Sequence, residues 1–169
     1  SGSSTDTGAL QVTDMKYSVP TAPNVVDLNG DGIADAIYFG DLGGQIFRAD
    51  INNFASAKAD LVKRVRLIAK LGESQSATTT NQRRFYEKPA VALFTDASGK
   101  KFATVAQGSG YRSRPLNTVT DENFFVVFDY DLPRADLLTA ATSSLQDVVT
   151  KDNLVALDLN STTVQTNGV

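Results

Sequence analysis

The chain has 169 residues, of which 41% are hydrophobic, so it is long enough for one domain with a buried core. The 16 basic and 19 acidic residues leave a net charge of -3, which gives no long-range field to draw nucleic acid or an anionic membrane surface. Cys and His are absent, which excludes disulfides and thiolate zinc sites and removes the commonest general base. We therefore expect a protein that is not an enzyme and does not bind nucleic acid.

The first residues, SGSSTDTGAL, lack the charged and apolar regions of a signal peptide. We interpret residues 1–10 as a disordered linker or a tag remnant and residues 11–169 as the domain. No apolar run approaches the roughly 18 residues that span a bilayer. Membrane insertion is therefore not expected.

Short runs of apolar and β-branched residues alternate with turn signals, which is typical of an all-β domain. Residues 64–71 alternate apolar and basic side chains, which favours a strand with one solvent-exposed face over a helix across residues 53–70. Gly43 and Gly44 follow Asp41 in a predicted hairpin turn. The other predicted strands are Ala22–Val26, Ala36–Phe39, Gln45–Ala49, Ala90–Phe94, Phe102–Ala106 and Phe124–Phe128.

The second half of the chain adds a loop, a helix and a last strand to this prediction. The polar stretch from Gly72 to Arg84 has no apolar period and indicates a mobile connection. Pro133 precedes apolar residues at helical spacing, which predicts one short helix over residues 134–149. The run from Leu154 to Leu159 is typical of a final strand. Each half is about the size of one β-propeller blade, so we expect antiparallel blades that belong to a larger propeller.

One loop between the first two strands has the spacing of a calcium site. Its sequence is DLNGDGIAD, residues 27–35, which places oxygen ligands at positions 1, 3, 5, 7 and 9. Calcium takes six to eight oxygen ligands in flexible geometry, and Gly32 permits the sharp turn that such a loop needs. Three carboxylates in one small loop repel each other unless a divalent cation compensates them. The predicted ligands are the side chains of Asp27, Asn29, Asp31 and Asp35 and the carbonyl of Ile33.

Other interpretations of this loop fit less well. Magnesium demands near-octahedral geometry and keeps several waters. An EF-hand has Glu at position 12, where this chain has Tyr38, and both EF-hands and dockerins place the loop between helices. A simple hairpin turn accounts for the Asn, Asp and Gly content but not for the spacing. The sequence therefore predicts a calcium loop between two strands.

The context of the loop resembles a known family. The run APNVVDLNGDGIADAIYFGDLGGQIFRADI, Ala22 to Ile51, is similar to the calcium-loop blade of the PilY-type type IV pilus tip and biogenesis proteins. The run from Val105 to Asp131 resembles the next element of that family. Integrin-type FG-GAP blades share the loop, and the strand-turn-strand elements also resemble quinoprotein propellers, although this chain lacks their Trp and His.

The resemblance implies an exported protein at the cell surface, the outer membrane or the pilus tip. It implies minor pilins as partners, a host or abiotic surface as a further contact, and a role in pilus extension and retraction, twitching motility and attachment. The metal ligands carry over as Asp27, Asn29, Asp31, Asp35 and the Ile33 carbonyl. The family's propeller is several times longer than this chain, so we expect a part of a larger ring.

Several further features are weaker signals. Gly108-Ser109-Gly110 lacks the rest of a nucleotide fingerprint and indicates a turn. Arg83, Arg84 and Lys88 are typical of solvated surface, with an anionic partner as the alternative.

Two more groups of side chains each allow two interpretations. Asp129 and Asp131 share one face of a strand, which is the geometry of a second cation site or of no site, and we favour no site. An aromatic set is predicted to be mostly core, with a carbohydrate or peptide platform as the alternative. The set is Tyr86, Tyr111, Phe124, Phe125 and Phe128.

Overall fold

The computed structural model of the protein describes residues 10–72 and 82–157. Within these two ranges the regular structure consists of eight strands and three short 3-10 turns, so the all-β prediction is confirmed. The turns are Lys58–Asp60, Thr142–Ser144 and Lys151–Asn153. The strands are β1 (Asn24–Val26), β2 (Ala36–Gly40), β3 (Gln45–Ile51), β4 (Val62–Lys70), β5 (Ala90–Thr95), β6 (Lys101–Gly108), β7 (Phe124–Asp129) and β8 (Val149–Thr150).

Five strands form one sheet, here called sheet A, in the order β1-β2-β3-β4-β8. The pairs are antiparallel except that β8 runs parallel to β4. A tight turn joins β2 to β3: Gly44 has φ of 70° and its N–H donates to the Asp41 carbonyl at 3.2 Å. This confirms the predicted hairpin, and a turn with positive φ explains why glycine stands there.

The other three strands form sheet B, an antiparallel sheet in the order β5-β6-β7. The hairpin between β5 and β6 turns at Asp96, whose carboxylate accepts the N–H groups of Ser98 and Lys100 at 2.9 Å each. The two sheets meet near β1 and β5, where the Asn24 side chain donates to the Pro89 carbonyl at 2.9 Å.

The hydrophobic core lies between the two sheets and under the chain that follows β7. Alternation places every second residue of β6 and β7 in this core, as the burial patterns of both strands show. Phe85, just before sheet B, packs edge-on against Phe125. The buried apolar residues that form the core include Ala36, Tyr38, Ile46, Ile68, Leu71, Val105, Val127, Leu132, Leu137 and Leu145.

The predicted helix over residues 134–149 is wrong. The segment folds as successive turns, with one 3-10 turn at Thr142–Ser144. The guanidinium of Arg64 donates to the carbonyls of Leu137 and Ala140 at 3.0 Å and of Leu138 at 3.3 Å. A helix would use those carbonyls for its own N–H groups, so the Arg64 contacts stabilise the irregular backbone instead.

The predicted last strand is also misplaced. Pairing with β4 occurs at Val149–Thr150, and the chain leaves the sheet because Thr150 and Asn153 form a capping box at the next 3-10 turn. Residues 154–157 are not a strand, and residues 158–159 lie outside the described residues. Most of the predicted mobile connection, residues 73–81, likewise lies outside the described part.

Both sheets carry apolar side chains on the faces that point away from the core. On sheet A, Phe39 stacks on Phe47 at a centroid distance of 5.4 Å. On sheet B, Phe102 contacts Phe94, Phe128 and Tyr130 at centroid distances of 5.9, 5.3 and 5.4 Å.

This arrangement corrects the prediction that the aromatic set is mostly core. Phe125 is buried, but Phe124 and Phe128 are 72% and 47% exposed, because they occupy the outward positions of β7. Tyr86 and Tyr111 are half-buried. Alternation along a strand divides the set between two faces, and the sequence does not say which face is covered.

Candidate metal-binding loop

The predicted calcium loop connects β1 to β2 at one end of sheet A. Val26 and Ala36 pair across the base of the loop, and the Asp35 N–H donates to the Val26 carbonyl at 2.8 Å. These contacts fix both ends of the loop, so residues 27–35 form a closed turn at the end of a β-hairpin. The strand flanks agree with the sequence interpretation.

Asp27 organises the first half of the loop. Its carboxylate accepts the N–H groups of Gly30 at 2.7 Å, Gly32 at 2.8 Å and Asp31 at 3.3 Å. These donors, Gly32 above all, lower the pKa of Asp27, so the carboxylate is charged at neutral pH. The backbone therefore folds around the oxygens of the first predicted ligand.

Asn29 and Asp31 lie together at the exposed side of the loop. The Asn29 amide donates to Asp31 Oδ2 at 2.9 Å, and Asn29 Oδ1 accepts the Asp31 N–H at 3.0 Å. Asp31 Oδ1 accepts the N–H of Ile33 at 2.8 Å. Gly30 and Gly32 have φ of 79° and 84°, so the curvature depends on residues that tolerate the left-handed region.

Asp35 closes the loop and contacts a residue that the sequence reasoning missed. Asp35 Oδ2 accepts the N–H of Leu28 at 2.7 Å, and Asp35 Oδ1 accepts the side-chain amide of Asn53 at 3.3 Å. The same amide donates to the Ala34 carbonyl at 3.0 Å. Asn53 lies just after β3, and only the pairing of β3 with β2 brings it to the loop, so no local sequence signal marks it.

The donor set suits calcium. It consists of carboxylate, amide and carbonyl oxygens, which are the hard ligands that calcium prefers. A carboxylate has about four lone-pair sites, so the hydrogen bonds within the loop leave acceptor capacity on Asp27, Asp31 and Asp35. Within the two described ranges, no three acidic side chains are gathered into a preformed metal cluster.

Asp129 and Asp131, the second acidic pair, are satisfied by arginines and not arranged as a cation site. Arg48 Nη1 donates to Asp129 Oδ2 and Arg48 Nε to Asp50 Oδ1, both at 2.5 Å, and the Arg48 side chain is fully buried. The Tyr38 hydroxyl donates to Asp129 Oδ2 at 2.7 Å. We call Tyr38, Arg48, Asp50 and Asp129 the buried ion cluster, and it joins sheet A to sheet B.

Asp131 extends these contacts to the chain after β7. Its carboxylate accepts Arg66 Nη1 at 2.9 Å and the Gln146 N–H at 2.8 Å, and Arg134 lies at 3.4 Å. This carboxylate therefore holds β4 against the irregular segment that replaces the predicted helix.

The predicted basic surface is only partly correct. Arg83 is buried and donates to the carbonyls of Leu71 and Asp121 at 3.2 and 3.0 Å, with its guanidinium 5.6 Å from the centre of the Phe125 ring. Arg84 stacks over Tyr111 at 4.1 Å. An Arg side chain can be buried in this way because its stem is apolar and carbonyl oxygens accept the N–H groups of its planar head. Amino-acid composition does not show which arginines are buried.

Comparisons with protein-family models, with curated proteins and with solved structures gave no match for this chain. In residues 10–72 and 82–157, no helix has the length and apolar character needed to cross a membrane.

Proposed function

We propose that the loop from Asp27 to Asp35 binds one calcium ion and that the protein is a calcium-stabilised binding module rather than an enzyme. The observation that carries this proposal is the pattern of the loop: oxygen ligands at alternate positions, with the Asp27 carboxylate accepting N–H groups from positions 4, 5 and 6. Asp27, Asn29, Asp31 and Asp35 would hold the ion with the Ile33 carbonyl. A bound ion compensates the charge of three carboxylates.

The loop lies where a bound calcium ion would stabilise the folded state of sheet A. The loop joins β1 to β2 and also contacts the end of β3 through Asn53. An ion that binds only the folded state stabilises it by an amount that grows with the logarithm of the ion concentration above Kd, so calcium would hold this end of sheet A together.

Thermal unfolding of the whole chain, with calcium and with EGTA, tests the proposal. We expect a higher melting temperature in calcium, by an amount that grows with the logarithm of its concentration. Magnesium at the same concentration is the control, and we expect a smaller shift because this ion keeps its waters. Equal melting temperatures in calcium and EGTA would overturn the proposal.

For the fold, we propose that sheets A and B are neighbouring blades of a larger β-propeller. An antiparallel sheet that ends a stack commonly has one polar, solvated face. Here the outer face of sheet B is apolar and solvent-exposed, because Phe94, Phe124 and Phe128 are 52%, 72% and 47% exposed. Such a face suits a sheet that packs on a further sheet, which is how blades stack.

For the biological setting, we propose an exported, type IV pilus-associated role with minor pilins as partners. The support is the resemblance of Ala22–Ile51 to PilY-type proteins. We infer roles in pilus extension and retraction, twitching motility and attachment to a host or abiotic surface. Gene position tests this setting: a parent gene among minor pilin genes supports it, and a parent gene among unrelated adhesin genes favours an integrin-like blade.

A further inference from the structure

Asn53 is placed to control how the calcium loop presents its last ligand. Its side-chain amide reaches two groups of the loop, the Asp35 carboxylate at 3.3 Å and the Ala34 carbonyl at 3.0 Å. Asp35 is also held on its other oxygen by the Leu28 N–H at 2.7 Å. The Asp35 carboxylate is therefore fixed from two sides, by the start of the loop and by the chain after β3.

The backbone supports the same connection. The Ile51 N–H donates to the Asp35 carbonyl at 2.9 Å, and Ala36 pairs with Asp50 in the ladder between β2 and β3. Asn53 thus lies two residues beyond a hydrogen-bonded contact with the loop. The ladder fixes the distance between them before any ion arrives.

We propose that Asn53 is a positioning residue of the calcium site, which holds the Asp35 carboxylate in its binding orientation without contacting the ion. This inference rests on the proposed calcium function. Replacing a residue that hydrogen-bonds to a metal ligand without contacting the metal commonly lowers the metal affinity by about 10- to 100-fold. A carboxylate that must be reoriented on binding loses part of its interaction free energy to that ordering.

The neighbouring Asn52 offers a matched control. It is the same residue type, it is also half-buried, and its side chain accepts the Phe54 N–H at 3.3 Å instead of contacting the loop. Asn52→Ala therefore removes one asparagine side chain next to the site while leaving the Asp35 contacts in place.

The experiment is isothermal titration of the whole chain with calcium chloride, for the wild type, Asn53→Ala, Asn53→Leu and Asn52→Ala. We expect one calcium per chain in all four. We expect Kd to rise by about 10-fold or more in both Asn53 variants and to stay within about twofold in Asn52→Ala. Leu has the same number of side-chain heavy atoms and the same branching as Asn and lacks the donor, so it separates the hydrogen bonds from packing.

Melting temperatures in EGTA complete the test, because a purely structural residue would lower stability without changing calcium affinity. Asn53 variants that melt lower in EGTA but keep the wild-type Kd overturn the inference while leaving the calcium proposal intact. A wild-type chain that takes up no calcium overturns both. A raised Kd in Asn53→Ala and a wild-type Kd in Asn53→Leu would show that packing positions the loop, which also overturns it.

Discussion

Two regions of this protein compensate acidic side chains by different means. In the loop from Asp27 to Asp35, the carboxylates are exposed or half-buried and accept N–H groups from nearby residues in the sequence. In the buried ion cluster, Asp50 and Asp129 are paired with a fully buried guanidinium, and Arg48 and Asp129 are 81 residues apart in the sequence. Among the residues that the structure describes, no cationic side chain pairs with a carboxylate of the loop, whereas the cluster contains its own cation.

This difference separates two uses of carboxylates. Backbone N–H groups orient the loop oxygens but carry only partial charge, so the loop retains a net negative charge that a divalent cation can neutralise. Arg48 and Arg64, whose Nε lies 3.5 Å from Asp50 Oδ2, together balance the two carboxylates of the buried cluster without a ligand. Removal of one partner leaves an uncompensated charge in the core. The loop therefore suits binding, and the cluster fixes one sheet against the other.

The largest expected effect comes from Arg48→Met. This change leaves Asp50 and Asp129 buried without Arg48, so we expect the free energy of unfolding to fall by about 3 to 5 kcal/mol. Urea denaturation measures it. The control is Arg112→Met, because Arg112 pairs with Glu87 on the surface and its loss should cost less than about 1 kcal/mol. If both variants lost the same small amount of unfolding free energy, the buried ion pairs of Arg48 would contribute no more to stability than the surface pair of Arg112.

The second prediction concerns the exposed loop. In calcium at about 100 times Kd, we expect the wild type to gain about 2.7 kcal/mol over its stability in EGTA, and we expect Asp31→Ala to lose most of that gain. Urea denaturation in both buffers measures the difference. Asp96→Ala is the matched control, because Asp96 also accepts two N–H groups in an exposed turn but lies outside the loop. A calcium gain that survives in Asp31→Ala would place the ion elsewhere.

The third prediction concerns Asp41, a buried acid whose carboxylate accepts backbone N–H groups, as the carboxylates of the loop do. Asp41 Oδ1 accepts the N–H groups of Gly43 at 2.9 Å and Gln45 at 3.0 Å, yet burial raises the pKa of Asp41 to about 6. Because the folded state raises this pKa, it favours the protonated form of Asp41. The contribution of protonated Asp41 to the stability of the fold is complete below the unfolded pKa of 3.8 and is lost as the pH rises through about 6.

We therefore expect the difference in the free energy of unfolding between wild type and Asp41→Asn to change by on the order of 2 kcal/mol between about pH 4 and pH 7. The wild type becomes less stable relative to Asp41→Asn as the pH rises. Asparagine keeps the Oδ1 acceptor and does not titrate. Denaturation across this range measures the difference, and a constant difference would show that Asp41 has an ordinary pKa.

The smallest expected effect comes from Tyr38→Phe. It removes the hydroxyl that donates to Asp129 Oδ2 at 2.7 Å but leaves Arg48 in place, so we expect a loss of about 1.5 kcal/mol. Tyr130→Phe on the outer face of sheet B is the control and should change stability by less than about 0.5 kcal/mol. A Tyr38→Phe loss as large as that of Arg48→Met would mean that the hydroxyl, rather than the guanidinium, carries the cluster.

The strands were predictable because their signals are local. Alternation of apolar and polar side chains and the turn residues at Asp41–Gly44 lie within a few residues of each other. The failed helix at residues 134–149 shows the limit of this reasoning. Its apolar spacing is helical, but Arg64, about 75 residues away in the sequence, binds the carbonyls that a helix needs.

The candidate site also has a part that the sequence predicts and a part that depends on the tertiary structure. The sequence by itself determined the spacing of Asp27, Asn29, Asp31 and Asp35, because an oxygen-ligand loop is a contiguous motif whose glycines set its turn. Only the tertiary structure decided that Asn53 reaches Asp35 and that Arg48 is the partner of Asp129. These contacts depend on strand register and on the packing of two sheets, which no short stretch of sequence encodes.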